Sequence, residues 1–140
     1  MGRLNIHLHG RTSSRPIAAS MLEYMNRMKG KVRLVEHSAK LSSSDYVTTL
    51  ENQGGTLILL EENGQQLSSI DFSKLLSSFA LDGEDSHLAI GPAEGFPKCH
   101  GHRSISLSMM TMPHELAALV LIEQVYRAGE IERGTSYHRD

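Results

Sequence analysis

The stretch His87–Pro97, HLAIGPAEGFP, followed at Ser104–Asp140 by SISLSMMTMPHELAALVLIEQVYRAGEIERGTSYHRD, decides how the rest of the chain has to be arranged. Ser86 to Gly91 reads as a strand, because Leu88, Ala89 and Ile90 form a short apolar run that Gly91 and Pro92 interrupt. Gly91 and Gly95 then bracket a tight loop. A second strand over Ser104 to Leu107 leads through Ser108, Met109 and Met110 to Thr111, the expected cap of a helix with Pro113 in its first turn. Two strand exits therefore lie close together in sequence.

The helix is expected from about His114 to Ile131 and carries seven consecutive apolar residues, Leu116 to Ile122. That run is far short of the roughly 20 needed to span a bilayer. Glu115, Glu123, Arg127 and Glu130 fall on one arc at 100° per residue, so most of the circumference is apolar. A partner subunit is the economical way to cover such a helix.

Upstream, Leu4 to His9 alternates, with Leu4, Ile6 and Leu8 on one face and Asn5, His7 and His9 on the other, which predicts a first strand. His7 and His9 share a face and raise the question of a metal, but two histidines without a third ligand nearby read equally as a polar patch. Gly10 ends the strand. Ser14 then caps a helix with Pro16 in its first turn and Ile17, Met21, Tyr24 and Met28 along one side, stopping at Gly30. A methionine stripe at this spacing reads as core filling. Lys31 to His37 reads as a second strand, and a weaker helix signal runs from about Ser44 to Asn52.

Thr56 to Leu60 is uninterruptedly apolar, the pattern of a strand covered on both faces of a parallel sheet. Glu61, Glu62, Asn63 and Gly64 are expected to turn sharply at its carboxyl end, where ligands of open α/β sheets sit. Asp71 is the expected cap of a helix bearing Phe72, Leu75, Leu76 and Phe79 on one face, ended by Gly83. Strands alternate with helices to the C-terminus. The expected fold is α/β, a mainly parallel sheet with helices on both faces, in one domain over residues 1–140.

Composition narrows the function less than the pattern does. The net charge of −2 lacks the basic signature of a protein held to nucleic acid mainly through phosphates. Local clusters stand against that average: Arg3, Arg11 and Arg15 near the first strand, and Arg27, Lys29, Lys31 and Arg33 around the next turn. A solvated basic edge is the plain alternative. Cys99 is the single cysteine, so no intrachain disulfide can form, and with no apolar N-terminal run a reducing, cytoplasmic setting without membrane association is expected. The sequence has no G-x-S-x-G elbow, no phosphate-binding G-x-x-x-x-G-K-[ST] loop and no G-x-G-x-x-G after the first strand. Cys99, His100 and His102 are too close together to build a tetrahedral zinc site without distant ligands, so no metal is expected.

The segments IGPAEGF (90–96), SLSMMTMPHELAALVLIEQVYRA (106–128) and YHRD (137–140) resemble, in the same order and at compatible spacing, motifs of the RlmH family of SPOUT methyltransferases. The family patterns run approximately I-G-G-x-E-G, S-L-S-x-x-T-x-P-H, a Y-R-A helix end and a terminal Y-H-R with an acid. The match is close over about the last 55 residues and holds only in pattern before them. The resemblance implies a C-terminal trefoil knot, a homodimer, S-adenosylmethionine as cofactor, and methylation of N3 of a pseudouridine in the large-subunit (23S) rRNA. It also implies a cofactor pocket at Leu60, Glu61, Gly64, Gly91, Glu94, Gly95, Leu107, Met110 and Met112. In the tail it implies a catalytic group of Tyr137, His138 and Arg139, with Arg11 and Arg127 toward RNA.

The chemistry suits those residue types. Small residues let crossing loops meet an adenine edge with main-chain N–H and C=O groups, and Leu107, Met110 and Met112 supply apolar walls. Pseudouridine N3 must lose a proton before it attacks a methyl group; a histidine titrates near 6.5, an arginine stays cationic, and a tyrosine can stack on a flipped base. Which group is the base stays open, and a frayed polar end is the bland reading of the tail. Pro92 replaces the second family glycine and deletes one N–H. That departure supports a second expectation, a noncatalytic knotted RNA-binding dimer that has lost cofactor use.

Overall fold

The computed structural model describes residues 2–139. Strand β1 (Leu4–His9) leads into helix α1 (Arg15–Arg27), capped as expected by Ser14, whose hydroxyl accepts from the Ile17 N–H. Strand β2 (Val32–His37) is followed by helix α2 (Ser43–Glu51), capped by Ser42. Strand β3 (Thr56–Gln66) and helix α3 (Ser69–Ala80) come next, then β4 (Ser86–Ile90), β5 (Ser104–Ser106) and helix α4 (His114–Arg133).

All strand pairs are parallel and the order is β2-β1-β4-β3-β5. The apolar run of β4 fits its central place, where all five residues are buried. Ile6, Leu8, Ile58, Leu88 and Ile90 pack beneath α1, α3 and α4, while Leu59 and Ala89 face α2 through Tyr46, Val47 and Leu50. Helices thus lie on both faces, three on one side and one on the other.

Three local expectations are corrected. The residues after Leu60 do not simply turn away: β3 continues to Gln66, and both Leu60 and Gln65 align with Ile105 of β5, so the residues between them are looped out of register. Asp71 does not cap α3. Ser68 does, its hydroxyl accepting from the Asp71 N–H, which leaves the Asp71 carboxylate in the first turn, where it complements the helix dipole. Thr111 does not cap α4 either, because Pro113 occupies the cap position and no side chain caps that end.

The apolar circumference of α4 is accounted for within the chain. Ala117, Ala118, Leu121, Ile122, Val125 and Ala128 are buried in the core that also holds residues of β1, β3, β4, α1 and α3. Its length and pattern alone therefore do not require a second copy. Among the described residues, no helix is long and apolar enough to cross a membrane.

The alternation of β1 predicts one polar face, and the structure buries that face. His7 is fully buried, its Nδ1 2.8 Å from His37 Nε2 and its Nε2 2.8 Å from His87 Nδ1, while His9 Nε2 lies 2.8 Å from the Leu41 carbonyl. Both ring nitrogens of His7 are engaged in this way while His87 Nε2 stays buried without a hydrogen-bond partner, and no group of His, Cys, Asp and Glu among the described residues could hold a metal. Burial, reinforced by His37, His87 and Arg33, lowers the His7 pKa from 6.5 to about 3. The native state holds this ring neutral while an unfolded chain protonates it below about pH 6.5, so stability falls with pH through the window from about 6.5 to 3. Urea unfolding is expected to show a loss of roughly 2 kcal/mol between pH 6.5 and about 5 from this ring alone. A His7→Gln variant should flatten that slope, and an unchanged slope would refute the assignment.

A candidate cofactor cleft at the strand exits

A cleft of about 1110 Å³ opens beside the middle of β3, past the ends of β4 and β5, where α4 begins. Leu60, Glu61, Glu62 and Asn63 line it from β3, Ile90 and the segment 91–100 from β4 and its loop, and Leu107, Met110, Met112 and His114 from the approach to α4. Parallel strands create such a crevice because their chains all leave at the same edge. Of the residues expected to hold a cofactor, Leu60, Glu61, Gly91, Glu94, Gly95, Leu107, Met110 and Met112 line it together. Gly64 does not.

Gly64 has a different role. A Cβ built there would stand 2.7 to 2.9 Å from three backbone atoms of Ile105, so only glycine lets the looped-out end of β3 lie against β5. Gly91 meets a softer neighbour, since its Cβ would touch the Phe96 ring at 3.0 to 3.5 Å. Phe96 in turn stacks on Tyr46, whose hydroxyl donates 2.8 Å to the Ile90 carbonyl. The loop is thereby fixed from beneath by α2, a support with no signature in the sequence of the loop itself.

Other contacts hold the rim. Ser43 donates to Glu94 Oε1 at 2.9 Å and also reaches the Gly95 carbonyl at 3.1 Å; the Glu94 carboxyl is held below its usual range chiefly by its own backbone N–H and then by Ser43. His100 Nε2 lies 3.0 Å from Glu61 Oε2 and His102 Nε2 lies 2.6 Å from Glu51 Oε2. The Cys99–His102 cluster is thus a pair of clasps from loop to sheet and helix. No helix forms between β4 and β5. Pro92 is buried, and its carbonyl accepts from the Gly95 N–H at 2.8 Å, closing the turn. Removing the Tyr46 hydroxyl leaves the buried Ile90 carbonyl unsatisfied, so Tyr46→Phe is expected to cost about 1 to 3 kcal/mol in denaturant unfolding and to weaken ligand binding in the cleft. Unchanged stability would show that water replaces the hydroxyl.

The lining suits an adenosyl group bearing a sulfonium. Leu60, Ile90, Leu107 and Met112 give apolar walls, the glycine loop gives main-chain groups, and three carboxylates, Glu61, Glu62 and Glu94, outweigh the single cation Lys98. Such a rim attracts a cationic donor and disfavours a bare phosphate.

The tail lies elsewhere. Tyr137 donates its hydroxyl to Glu123 Oε2 at 2.8 Å, Arg127 donates to the same oxygen at 2.8 Å and to His138 Nδ1 at 3.0 Å, and the Arg127 guanidinium sits 4.9 Å over the Tyr137 ring. Burial and the bond to Glu123 raise the Tyr137 pKa, so this phenol remains a donor. Glu123 is six residues beyond the cleft-lining Ala117, roughly 9 Å along the helix axis. Within one chain, then, Tyr137, His138 and exposed Arg139 flank the second half of α4 and do not line the cleft. The final acid of the YHRD motif, Asp140, lies outside the described residues. Arg11 is exposed in the loop before α1, whose Ser13 and Ser14 N–H groups donate to Glu115 of α4 at 2.6 and 2.9 Å.

A parallel α/β sheet with a looped-out third strand and a carboxylate-rimmed cleft beside its strand ends defines a ligand-binding α/β protein. Comparison with known families and proteins makes this specific. Residues 3–138 match the family model described as Predicted SPOUT methyltransferase. The chain is 35% identical to the ribosomal RNA large subunit methyltransferase H of Synechococcus sp. (strain RCC307), covering 98% of this chain and 95% of that protein. It is 34% identical to the protein of that name from Prochlorococcus marinus (strain MIT 9515) and 31% identical to that from Coprothermobacter proteolyticus, again over 98% of this chain, and over 96% and 99% of those proteins. The chain belongs to the SPOUT methyltransferase family. Its fold is the α/β knot of that family.

Proposed function

We propose that this chain is an S-adenosylmethionine-dependent methyltransferase acting on N3 of a pseudouridine in large-subunit rRNA, and that it works in the cytoplasm as a homodimer. The observation that carries the reading is the cleft itself: eight of the nine residues expected to hold the cofactor converge on it, in a chain whose relatives are named for methylating large-subunit rRNA. The bound cofactor supplies an electrophilic methyl group on a sulfonium. Everything else is the task of the protein. Leu60, Leu107 and Met112 shield the site from water, the loop 91–95 offers main-chain groups, and Glu61 and Glu94 favour a cationic ligand.

The place of the tail supports the dimer. Tyr137, His138 and Arg139 cannot serve the cleft of their own chain without leaving Glu123 and Arg127, whereas a second copy can present its tail to that cleft. Met109 at 75% exposure, Met110 at 78% and Leu116 at 38% leave apolar surface beside the cleft for such a copy to cover. In the tail, Arg127 donates to His138 Nδ1, which selects the tautomer protonated on Nε2. For His138 to take a proton from N3 this contact must rearrange, so Arg127 sets the resting state of the tail, and Arg139 stabilises the anionic base. Pro92 favours the second reading, a binding protein without cofactor, because it lines the cleft and has no N–H to offer a ligand. Calorimetry with S-adenosylmethionine separates the two: heat of binding at micromolar cofactor supports the enzyme, and its absence from a folded dimer supports the alternative. Mass mapping of large-subunit rRNA from cells with and without the gene tests the target base.

A further inference from the structure

A second cavity, about 520 Å³, opens at the other end of the sheet, where β1, β2 and β4 begin and α1, α3 and α4 end. Its size is within the range of small-molecule sites. The half-buried Leu76 and Phe79 of α3, with Val125 and Ala128 of α4 buried behind them, form an apolar floor. Five cations, Arg3, Arg27, Lys29, Lys31 and Arg133, stand around it against two carboxylates, Glu84 and Glu132. Arg27 and Arg133 are engaged by Glu23 and Glu130 on their own helices, which leaves Arg3, Lys29 and Lys31, all exposed, for an outside anion. The cofactor cleft has the opposite balance, three carboxylates to one lysine, in a chain whose net charge is −2.

We infer that this cationic, apolar-floored cavity is a binding site for the substrate RNA strand, taking an unstacked base on the floor and its flanking phosphates on Arg3, Lys29 and Lys31. The physical ground is the separation of charge. Phosphodiesters are drawn to this end of the molecule by its excess of cations, while the half-buried Leu76 and Phe79 give a base something to stack against. A second copy of the chain is a poorer occupant, because a two-fold interface here would set like charges against one another. The site rests on the proposed RNA substrate and lies outside the methyl-transfer machinery.

The test measures binding of a short fluorescein-labelled single-stranded RNA copied from large-subunit rRNA, by anisotropy between 50 and 200 mM salt. Lys29→Ala/Lys31→Ala, on an exposed turn, is expected to weaken binding about tenfold at the low-salt end and to make the log affinity against log salt slope shallower by about 1.4, two single-strand contacts at about 0.7 each. Gly129→Leu fills the cavity from α4, where a new Cβ would meet only the end of the Arg133 side chain at 3.4 Å. It should weaken binding about fivefold or more with the slope unchanged. Cofactor affinity should stay at the wild-type level in both. Wild-type RNA affinity in either variant overturns the inference, as does a variant whose only defect in light scattering is a dissociated dimer, since the cavity would then be covered by a second copy. A wild-type protein that binds the RNA yet leaves rRNA unmethylated counts against the proposed reaction alone, and the variant affinities still decide this site.

Discussion

Replacing Gly64 by alanine is expected to cost at least about 3 kcal/mol, the upper range for forcing extra volume into a packed site, and to abolish cofactor binding at growth temperature. The new Cβ would sit 2.7 Å from the Ile105 carbonyl carbon and 2.8 Å from its nitrogen, and backbone on a buried strand cannot swing aside as a side-chain end can. Either β5 moves or the looped-out segment 61–64 is displaced. Both choices disturb the wall of the cleft, because Leu60 and Glu61 precede the clash and Leu107 follows it. Gly91→Ala serves as the comparison: its Cβ meets a phenyl ring, which can yield by a few tenths of an ångström, so a milder loss is expected. Urea unfolding and calorimetry on the two variants check the ranking. Equal stability of Gly64→Ala and the wild type would mean that the strands do not approach as closely as described.

The His138→Ala/Arg139→Ala double variant is expected to lose methyl transfer by a factor of about a thousand or more, in the range for removing an acid–base group and a charge stabiliser together. Its stability and cofactor affinity should remain near wild type, because neither side chain lines the cleft of its own chain and Arg139 is exposed. That combination, full binding without transfer, distinguishes a tail that acts on the substrate from one that supports the fold. Mixing this variant with a second variant defective only in its cofactor cleft should restore part of the activity if one copy's tail serves the other's cleft. Undiminished single-turnover transfer in the double variant would remove the tail from the mechanism.

Much of the architecture was legible before the fold was known, and for physical reasons. The apolar run Thr56–Leu60 reads as a strand covered on both sides and Leu88–Ile90 as a strand, and Ile58, Leu59 and Leu60 are buried beside β4. Ser14, with Pro16 two positions on, marked the start of α1 because cap chemistry is local. Errors arose where a choice between equivalent neighbours was settled by packing. Ser68 and Asp71 both have the chemistry of a cap, and Ser68 holds the position. The segment EENG has the composition of a turn, yet Gln65 returns to align with Ile105, a pairing with a residue forty positions away.

The family resemblance carried by the sequence implied a set of cofactor residues, and Leu60, Gly91, Glu94, Gly95, Leu107, Met110 and Met112 of that set line one cleft. The sequence by itself determined the family, because the motifs of the last third occur in a fixed order. Only the tertiary structure decided that Gly64 serves a strand crossing instead of the cleft, that the polar face of β1 is a buried row of histidines, and that the tail rests on Glu123 and Arg127. These are contacts between residues far apart in the chain or between side chains of ambivalent polarity, and periodicity along the sequence carries no information about which distant partner satisfies them.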